Sequence, residues 1–134
     1  MSDVLDPKHE ALVDHLFQRA CFVLKMPGFV LRPLRRRSRG RGKLRMLRLG
    51  YTKLSEKQIT VDLYTPRTMK PRQLDAILRV VCHELTHHLE PPKIWHRWFG
   101  RDIRVIHHPD FWKKYKSGVE LLKRDEVLSE HFTS

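Results

Sequence analysis

Residues 71–89 constrain the fold most, because their apolar side chains recur at the spacing of an α-helix. His83 and His87 are four positions apart, so they project from one face of that helix. At roughly 100° per residue, Val81 and Leu85 point nearly opposite to them. Pro71 suits the first turn, and two prolines stop the helix soon after Glu90. The pattern predicts a helix over about 71–89 with one buried face and one face toward a cleft.

Glu84 directly follows the first of these histidines and completes the pattern His-Glu-x-x-His. Two imidazoles on one face can share a divalent metal, and the adjacent carboxylate is placed to handle a water proton. This is the arrangement of zinc-dependent peptidases. The alternative is a pair of surface histidines on an amphipathic helix. The intervening Glu84 and the opposite core face favour a metal site with His83 and His87 as ligands.

Composition narrows the class of protein. A chain of 134 residues, 40% of them hydrophobic, suits one domain spanning 1–134. The 27 Lys and Arg against 15 Asp and Glu give a formal charge of +12, which favours a polyanionic partner such as nucleic acid. A generally basic soluble protein is the alternative. Cys21 and Cys82 lie in apolar surroundings, which predicts reduced core residues. Because the sequence contains neither a signal peptide nor a membrane-spanning stretch, we expect a cytoplasmic protein.

The order of elements predicts an α+β fold. Asp6 suits an N-cap for a helix from residue 7 to about 25, and strands follow near 29–31, 44–51 and 58–64. Three consecutive strands suggest a small, mostly antiparallel meander. In the third strand apolar residues alternate with Thr60 and Asp62, which predicts one buried and one wet face. A last helix is expected over about 109–124, and a short one after Asp125.

Residues 32–48 form the most basic segment, predicted to be a hairpin with its flexible tip at 35–43. Six of its side chains could hold phosphates through a sequence-independent contact: Arg35, Arg36, Arg37, Arg39, Arg41 and Lys43. A merely solvated, charged loop is the alternative. Trp95, Trp98 and Phe99 in the connection 90–106 could stack on bases, or fill the core beneath a loop.

A catalytic zinc usually takes three protein ligands and leaves a position for water. The candidates for the third are His88, His96, His107, His108, Glu90 and Glu120. His88 lies about 140° around the helix from His83, and Glu90 is at the frayed helix end. A histidine just before the last helix can turn back toward the metal, with Phe111 and Trp112 anchoring that helix. The paired His107 and His108 are therefore the better candidates.

The segments VVCHELTHHLEP (80–91) and HHPDFWKKY (107–115) resemble the SprT-like zinc metallopeptidases and the related YgjP-like hydrolases. The resemblance covers roughly 45–120. It implies a zincin-like fold with an N-terminal helix, a three-stranded sheet, an active-site helix and a C-terminal helix. It also implies Zn²⁺ as cofactor, Glu84 as catalytic base and His107 as third ligand, because Phe111 follows four positions later. His108 occupies the family's small Ser or Gly position, and the family's Arg-Trp-Gly element is only weakly echoed at 48–50.

The resemblance further implies a zinc-dependent endopeptidase that cleaves proteins bound or crosslinked to DNA. Two departures from the family are the missing Cys-rich zinc ribbon and a long connection between the motifs, which requires an inserted turn near 95–99. A regulatory peptidase that cleaves one partner without DNA is an alternative function. A zinc-containing nucleic-acid-binding module without activity is another. The tail, residues 126–134, could also occupy the cleft of a latent enzyme.

Overall fold

The structure is a computed structural model that describes residues 5–34, 50–65, 68–98 and 100–132. Within these ranges the elements follow in the order α1 (Pro7–Val23), β1 (Val30–Leu34), β2 (Gly50–Thr52), β3 (Gln58–Asp62) and α2 (Leu74–Leu89). A hairpin of β4 (Lys93–Trp98) and β5 (Arg101–Val105) precedes α3 (Pro109–Arg124) and a short 3₁₀-helix (Ser129–His131). The predicted α+β fold is confirmed.

Helix α1 starts where the sequence indicated. The Asp6 carboxylate accepts a hydrogen bond from the His9 N–H at 3.0 Å, and Pro7 occupies the first turn. The helix ends after Val23, two residues earlier than expected, and Lys25 follows with a left-handed φ of 59°. The buried face of α1 contributes Val13, Leu16, Phe17, Ala20 and Cys21 to the core.

The sheet differs from the predicted meander. Its strand order is β1-β3-β2, with β1 parallel and β2 antiparallel to β3. The predicted order and the mostly antiparallel pairing were therefore wrong, because β3 inserts between the two strands that precede it. Residues 35–49, which contain most of the link from β1 to β2, lie outside the described residues.

The central position of β3 also overturns the expectation of a wet face. Thr60 and Asp62 are each only 2% exposed, as buried as their apolar neighbours Ile59 and Val61. Asp62 accepts hydrogen bonds from the Tyr64 N–H at 3.3 Å and from Arg72 at 3.4 Å. A polar side chain can be buried at this position because such partners compensate for the lost water.

Helix α2 begins at Leu74, three residues later than predicted. Pro71 is not in its first turn but forms an isolated antiparallel bridge with Tyr64, and Gln73 is the N-cap. The buried face carries Ile77, Leu78, Val81, Cys82 and Leu85, as the periodicity indicated. Helices α1, α2 and α3 and the strand β3 all contribute to one hydrophobic cluster.

The connection between the two histidine motifs is a two-stranded hairpin, β4 with β5, which the sequence interpretation lacked. Gly100 stands at its turn with a φ of 76°, a value that favours glycine, and this agrees with the expected inserted turn. The hairpin is antiparallel from the pair Lys93–Val105 to the pair Trp98–Arg101. It carries the chain away from the end of α2 and returns it to the start of α3.

Candidate metal centre

One face of α2 forms the wall of a cleft of about 640 Å³. Because residues three or four apart share a helix face, Arg79, His83 and His87 form one row and Val80 and Glu84 the next. The cleft is lined by Gly50, Tyr51, Thr52, Leu54, Arg79, Val80, His83, Glu84, His87, Pro92, Ile106, His107 and Tyr115. The predicted division of α2 into a core face and a cleft face is confirmed.

His107 reaches the same place from the loop between β5 and α3. Its Nε2 atom lies 3.2 Å from Nε2 of His83 and 3.3 Å from Nε2 of His87. Two nitrogens bound to one tetrahedral zinc at 2.0–2.1 Å would be about 3.3 Å apart. The three imidazoles thus have the spacing and the donor atoms of a site that could hold a divalent metal.

The environment favours the neutral imidazoles that a metal needs. Burial lowers the pKa of His83, and the neighbouring His107 lowers it further. The pKa of His87 is lowered to about 4, first by burial and then by the charges that His83, His107 and His88 would carry. At neutral pH these two rings are therefore uncharged, and an unprotonated nitrogen can donate its lone pair to a cation.

Glu84 lies beside this cluster. Its side chain is nearly buried, with 7% of the residue exposed, and its Oε2 atom is 4.0 Å from Nε2 of His83. Glu84 also lines the cleft, so its carboxylate can reach a molecule bound there. A carboxylate next to a metal-type site, but outside the group of three imidazoles, has the position of a proton acceptor.

Strand β2, which packs against α2, forms another part of the cleft wall. It is an edge of the three-stranded sheet in the part of the chain that the structure describes, and its three residues all line the cleft. Gly50 approaches α2 so closely that a β-carbon there would lie 2.6 Å from Cγ1 of Val80. The sequence interpretation saw Gly50 only as a faint family echo and missed Arg79 altogether. The signal for Arg79 was its place one helical turn before His83.

Aromatic rings surround the three histidines. The ring of the fully buried Phe111 lies 4.6 Å from that of His87 and 4.9 Å from that of His107. The Trp112 ring is 5.4 Å from the His107 ring, and the Tyr115 ring is 5.8 Å from the His83 ring. Phe111 and Trp112 were both expected to anchor α3. The complete burial of Phe111 confirms the prediction for that residue, whereas Trp112 is 41% exposed, so the prediction was wrong for Trp112.

The other candidates for the third ligand lie elsewhere. His88 faces away from the cluster, and its Nε2 is 2.6 Å from Oγ1 of Thr52. His108 is 5% exposed, and both its ring nitrogens contact backbone groups. Glu120 is exposed and lies 3.9 Å from Lys123. His96 is on β4, but its side chain lies outside the described part of the structure.

Two predicted surfaces have no structural description. The phosphate-binding candidates Arg35, Arg36, Arg37, Arg39, Arg41 and Lys43 all lie outside the described residues. The same holds for Phe99 and for the side chains of Trp95 and Trp98. Nucleic-acid binding by these groups stays a prediction.

The C-terminal tail packs against the core as far as Phe132. Leu128 is fully buried, and Phe132 lies under the guanidinium of Arg79 at 5.6 Å. None of residues 126–132 lines the cleft. The interpretation in which the tail occupies the cleft is therefore wrong for these residues.

The two cysteines agree with the sequence interpretation. Cys21 and Cys82 are free and buried, and burial raises the pKa of their thiols, to about 11 and about 12. Neither belongs to the group of three histidines. Both are core residues.

Within the described ranges, the helices are too short or too polar to cross a bilayer. The chain matches no protein-family model, and no curated protein has a significantly similar sequence. Among solved structures, the crystal structure of the metallopeptidase zymogen of Pyrococcus abyssi abylysin is similar, with 15% identity and a TM-score of 0.43. That match covers 91% of this chain and 99% of the other.

Proposed function

We propose that this protein is a zinc-dependent endopeptidase. The observation that supports it best is that Nε2 of His107 lies 3.2 Å from Nε2 of His83 and 3.3 Å from Nε2 of His87, with the Glu84 carboxylate beside them in an open cleft. Zinc suits a site of three imidazoles with room for water and substrate. A purely structural zinc site would not need Glu84 and would fill its fourth position with a protein ligand.

A divalent metal at this site supplies Lewis acidity for the scissile carbonyl and lowers the pKa of water toward neutrality. Glu84 accepts the proton of the attacking water as its oxygen adds to the carbonyl carbon. The same carboxyl group then passes this proton to the leaving amine nitrogen as the C–N bond breaks. Burial of Glu84 limits competing water around its carboxylate.

The substrate is proposed to bind as an extended strand along β2. Gly50, Tyr51 and Thr52, the three residues of this strand, all line the cleft. An extended peptide that adds to a sheet edge gains main-chain hydrogen bonds, and pockets beside it select alternate side chains. Tyr51 and Leu54 from the sheet side, and Val80 from α2, are the groups that would contact those side chains.

A DNA-bound or DNA-crosslinked protein is the proposed substrate class. The formal charge of +12 and the arginine-rich segment 35–43 support this. Cleavage that single-stranded DNA stimulates at low salt, and that loses the stimulation as salt rises, is the expected result. Cleavage that is indifferent to DNA would favour a regulatory peptidase with one protein partner.

The test compares the wild type with Glu84→Gln and His107→Ala. We expect about one tightly bound zinc per chain in wild type and Glu84→Gln, and weak or no binding in His107→Ala. Peptide hydrolysis should fall by about 10²–10⁴-fold in Glu84→Gln, because the proton acceptor is lost while the metal remains. Full activity in Glu84→Gln would contradict the mechanism. Zinc binding without hydrolysis of any peptide or protein would favour the non-catalytic module.

A further inference from the structure

His108 has a role that its neighbour His107 does not share. It is the N-cap of α3: its Nδ1 accepts a hydrogen bond from the Phe111 N–H at 3.2 Å. Its Nε2 lies 3.0 Å from the carbonyl oxygen of Pro91. Because Nδ1 is the acceptor, the ring proton is on Nε2, which donates to Pro91. Both nitrogens of this buried ring are therefore in use.

The two bonds join the chain segments on either side of the metal-type cluster. Pro91 follows the end of α2 and is four residues beyond His87. His108 directly follows His107, and consecutive Cα atoms are about 3.8 Å apart. The whole β4–β5 hairpin lies between Pro91 and His107 in the sequence. The His108 ring closes this long loop where its two ends meet.

Capping by His108 also orders the first turn of α3, which carries the rings around His107. Phe111, whose N–H the cap satisfies, is fully buried and packs 4.9 Å from the His107 ring. Trp112 packs on the same ring at 5.4 Å. An N-cap satisfies a donor that the helix itself leaves unpaired, so its loss frays the first turn.

A second metal site is the competing interpretation, since His108 lies near carboxylate oxygens of Glu90 and Asp110. The His108 ring has no free lone pair for a metal ion, because Nδ1 accepts a hydrogen bond from the Phe111 N–H and Nε2 donates one to the Pro91 carbonyl oxygen. Asp110 is exposed and paired with Lys93. The bonds that His108 makes thus favour a positioning role over a ligand role.

We propose that His108 is a positioning residue that holds the His107 imidazole within reach of His83 and His87, by clamping its backbone to Pro91 and to the first turn of α3. This inference rests on the proposed function, because it assigns a purpose to the third imidazole. It predicts that His108 controls metal affinity without contacting the metal.

Two variants separate the two bonds. In His108→Asn an amide oxygen takes the place of Nδ1 and keeps the cap, but the side chain is too short for Pro91. In His108→Gln an amide N–H takes the place of Nε2 and keeps the bond to Pro91, with a weaker cap. His108→Ala loses both. His15→Ala, an exposed histidine on α1, is the matched control.

Zinc dissociation constants are measured by competition with a chromophoric chelator, and Co²⁺ absorption spectra report the geometry of the site. We expect the dissociation constant to rise by about 100-fold in His108→Ala and by about 10-fold in each of the other two variants, as for residues that orient metal ligands. The Co²⁺ spectrum should change in His108→Ala and stay unchanged in His15→Ala. Circular dichroism of the metal-free proteins shows whether each variant is folded. If His108→Ala does not fold, the zinc dissociation constants of His108→Asn and His108→Gln test the inference instead.

The inference is overturned if the wild type binds zinc and the folded His108 variants bind it with dissociation constants within twofold of the wild-type value. It is also overturned if His107→Ala retains zinc and His108→Ala loses it, because His108 would then be the ligand. Failure of the wild type itself to bind zinc, after reloading, would instead remove the proposed function.

Discussion

Gly50 on the edge strand β2 lies directly against Glu84 on α2: a β-carbon at position 50 would be 3.5 Å from Cγ of Glu84. The strand that would align a substrate is thus packed against the residue that would take the water proton. The same β-carbon would be 2.9 Å from the backbone oxygen of Thr60. Only glycine allows the sheet and the helix to come this close.

Gly50→Ala should therefore destabilise the protein by about 1–3 kcal/mol, the usual result of overpacking. The double variant Gly50→Ala/Val80→Ala removes the contact with Cγ1 but not the one with the Thr60 oxygen, so it should relieve part of the steric strain. Urea unfolding measures the free energy of unfolding of the single and the double variant, and Val80→Ala alone is the reference for the double variant. An unchanged unfolding midpoint in Gly50→Ala would show that β2 can move away from α2 freely.

Lys25→Gly should stabilise the protein by about 1 kcal/mol, because a non-glycine residue in the left-handed region is strained by roughly that amount. Lys25 has a φ of 59° just beyond the end of α1, and its side chain is exposed. Lys25→Ala removes the same side chain and keeps the strain, so it should show no such gain. Equal midpoints for the Gly and Ala variants in urea would contradict the assignment of strain.

The Arg19–Asp125 ion pair should make the thermal stability of the protein depend on pH. Arg19 donates to both carboxylate oxygens of Asp125, at 2.7 and 2.9 Å, and this pairing lowers the pKa of Asp125 below its ordinary 3.8. A lowered folded-state pKa means that the contribution is complete above the ordinary value and is lost as the pH falls through the folded-state value.

The thermal midpoint of Asp125→Asn should thus lie below that of the wild type between about pH 5 and 8, by a constant amount. The gap should narrow at lower pH, where the wild-type carboxyl group takes up its proton. A gap that persists unchanged in strong acid would mean that Asp125 acts through its shape and its bonds to the N–H groups of Val127 and Leu128.

Removal of the metal should lower thermal stability. A ligand at about 100 times its dissociation constant stabilises the folded state by ~2.7 kcal/mol, so a chelator should remove an effect of this size from zinc-loaded wild type. The variant His83→Ala/His87→Ala, which lacks two of the three imidazoles, should be insensitive to the chelator. A chelator effect of equal size in this variant would place the stabilising metal elsewhere in the protein.

Much of the candidate site could be predicted locally. The periodicity of α2 alone separated the core face, with Val81 and Leu85, from the face of His83 and His87, because both lie on one helix with a fixed rotation per residue. The start of the first helix could be predicted equally well, since Asp6 and Pro7 are residues typical of a helix N-terminus. Burial of Cys21 and Cys82 followed from their apolar neighbours.

The pairing of elements that are distant in the sequence could not be predicted locally. No local pattern indicated that β3 would insert between β1 and β2, or that β3 would pair in parallel with β1. Pro71 suits a helix start, yet the pairing of its backbone with Tyr64 delays α2 to Leu74. In each case the partner is distant in the sequence, and pairing between distant strands depends on what else must be buried.

The sequence by itself thus indicated which residues form the candidate site: a helix with His83, Glu84 and His87 on one side, and a histidine pair before a later helix. Residue spacing alone left that pair open, and the family resemblance pointed to His107; the tertiary structure brings His107 to the other two imidazoles and turns His108 to Pro91 and Phe111. The physical reason is that spacing along a helix is set by the backbone, whereas the direction of a loop residue depends on which distant hydrogen bonds its neighbours make.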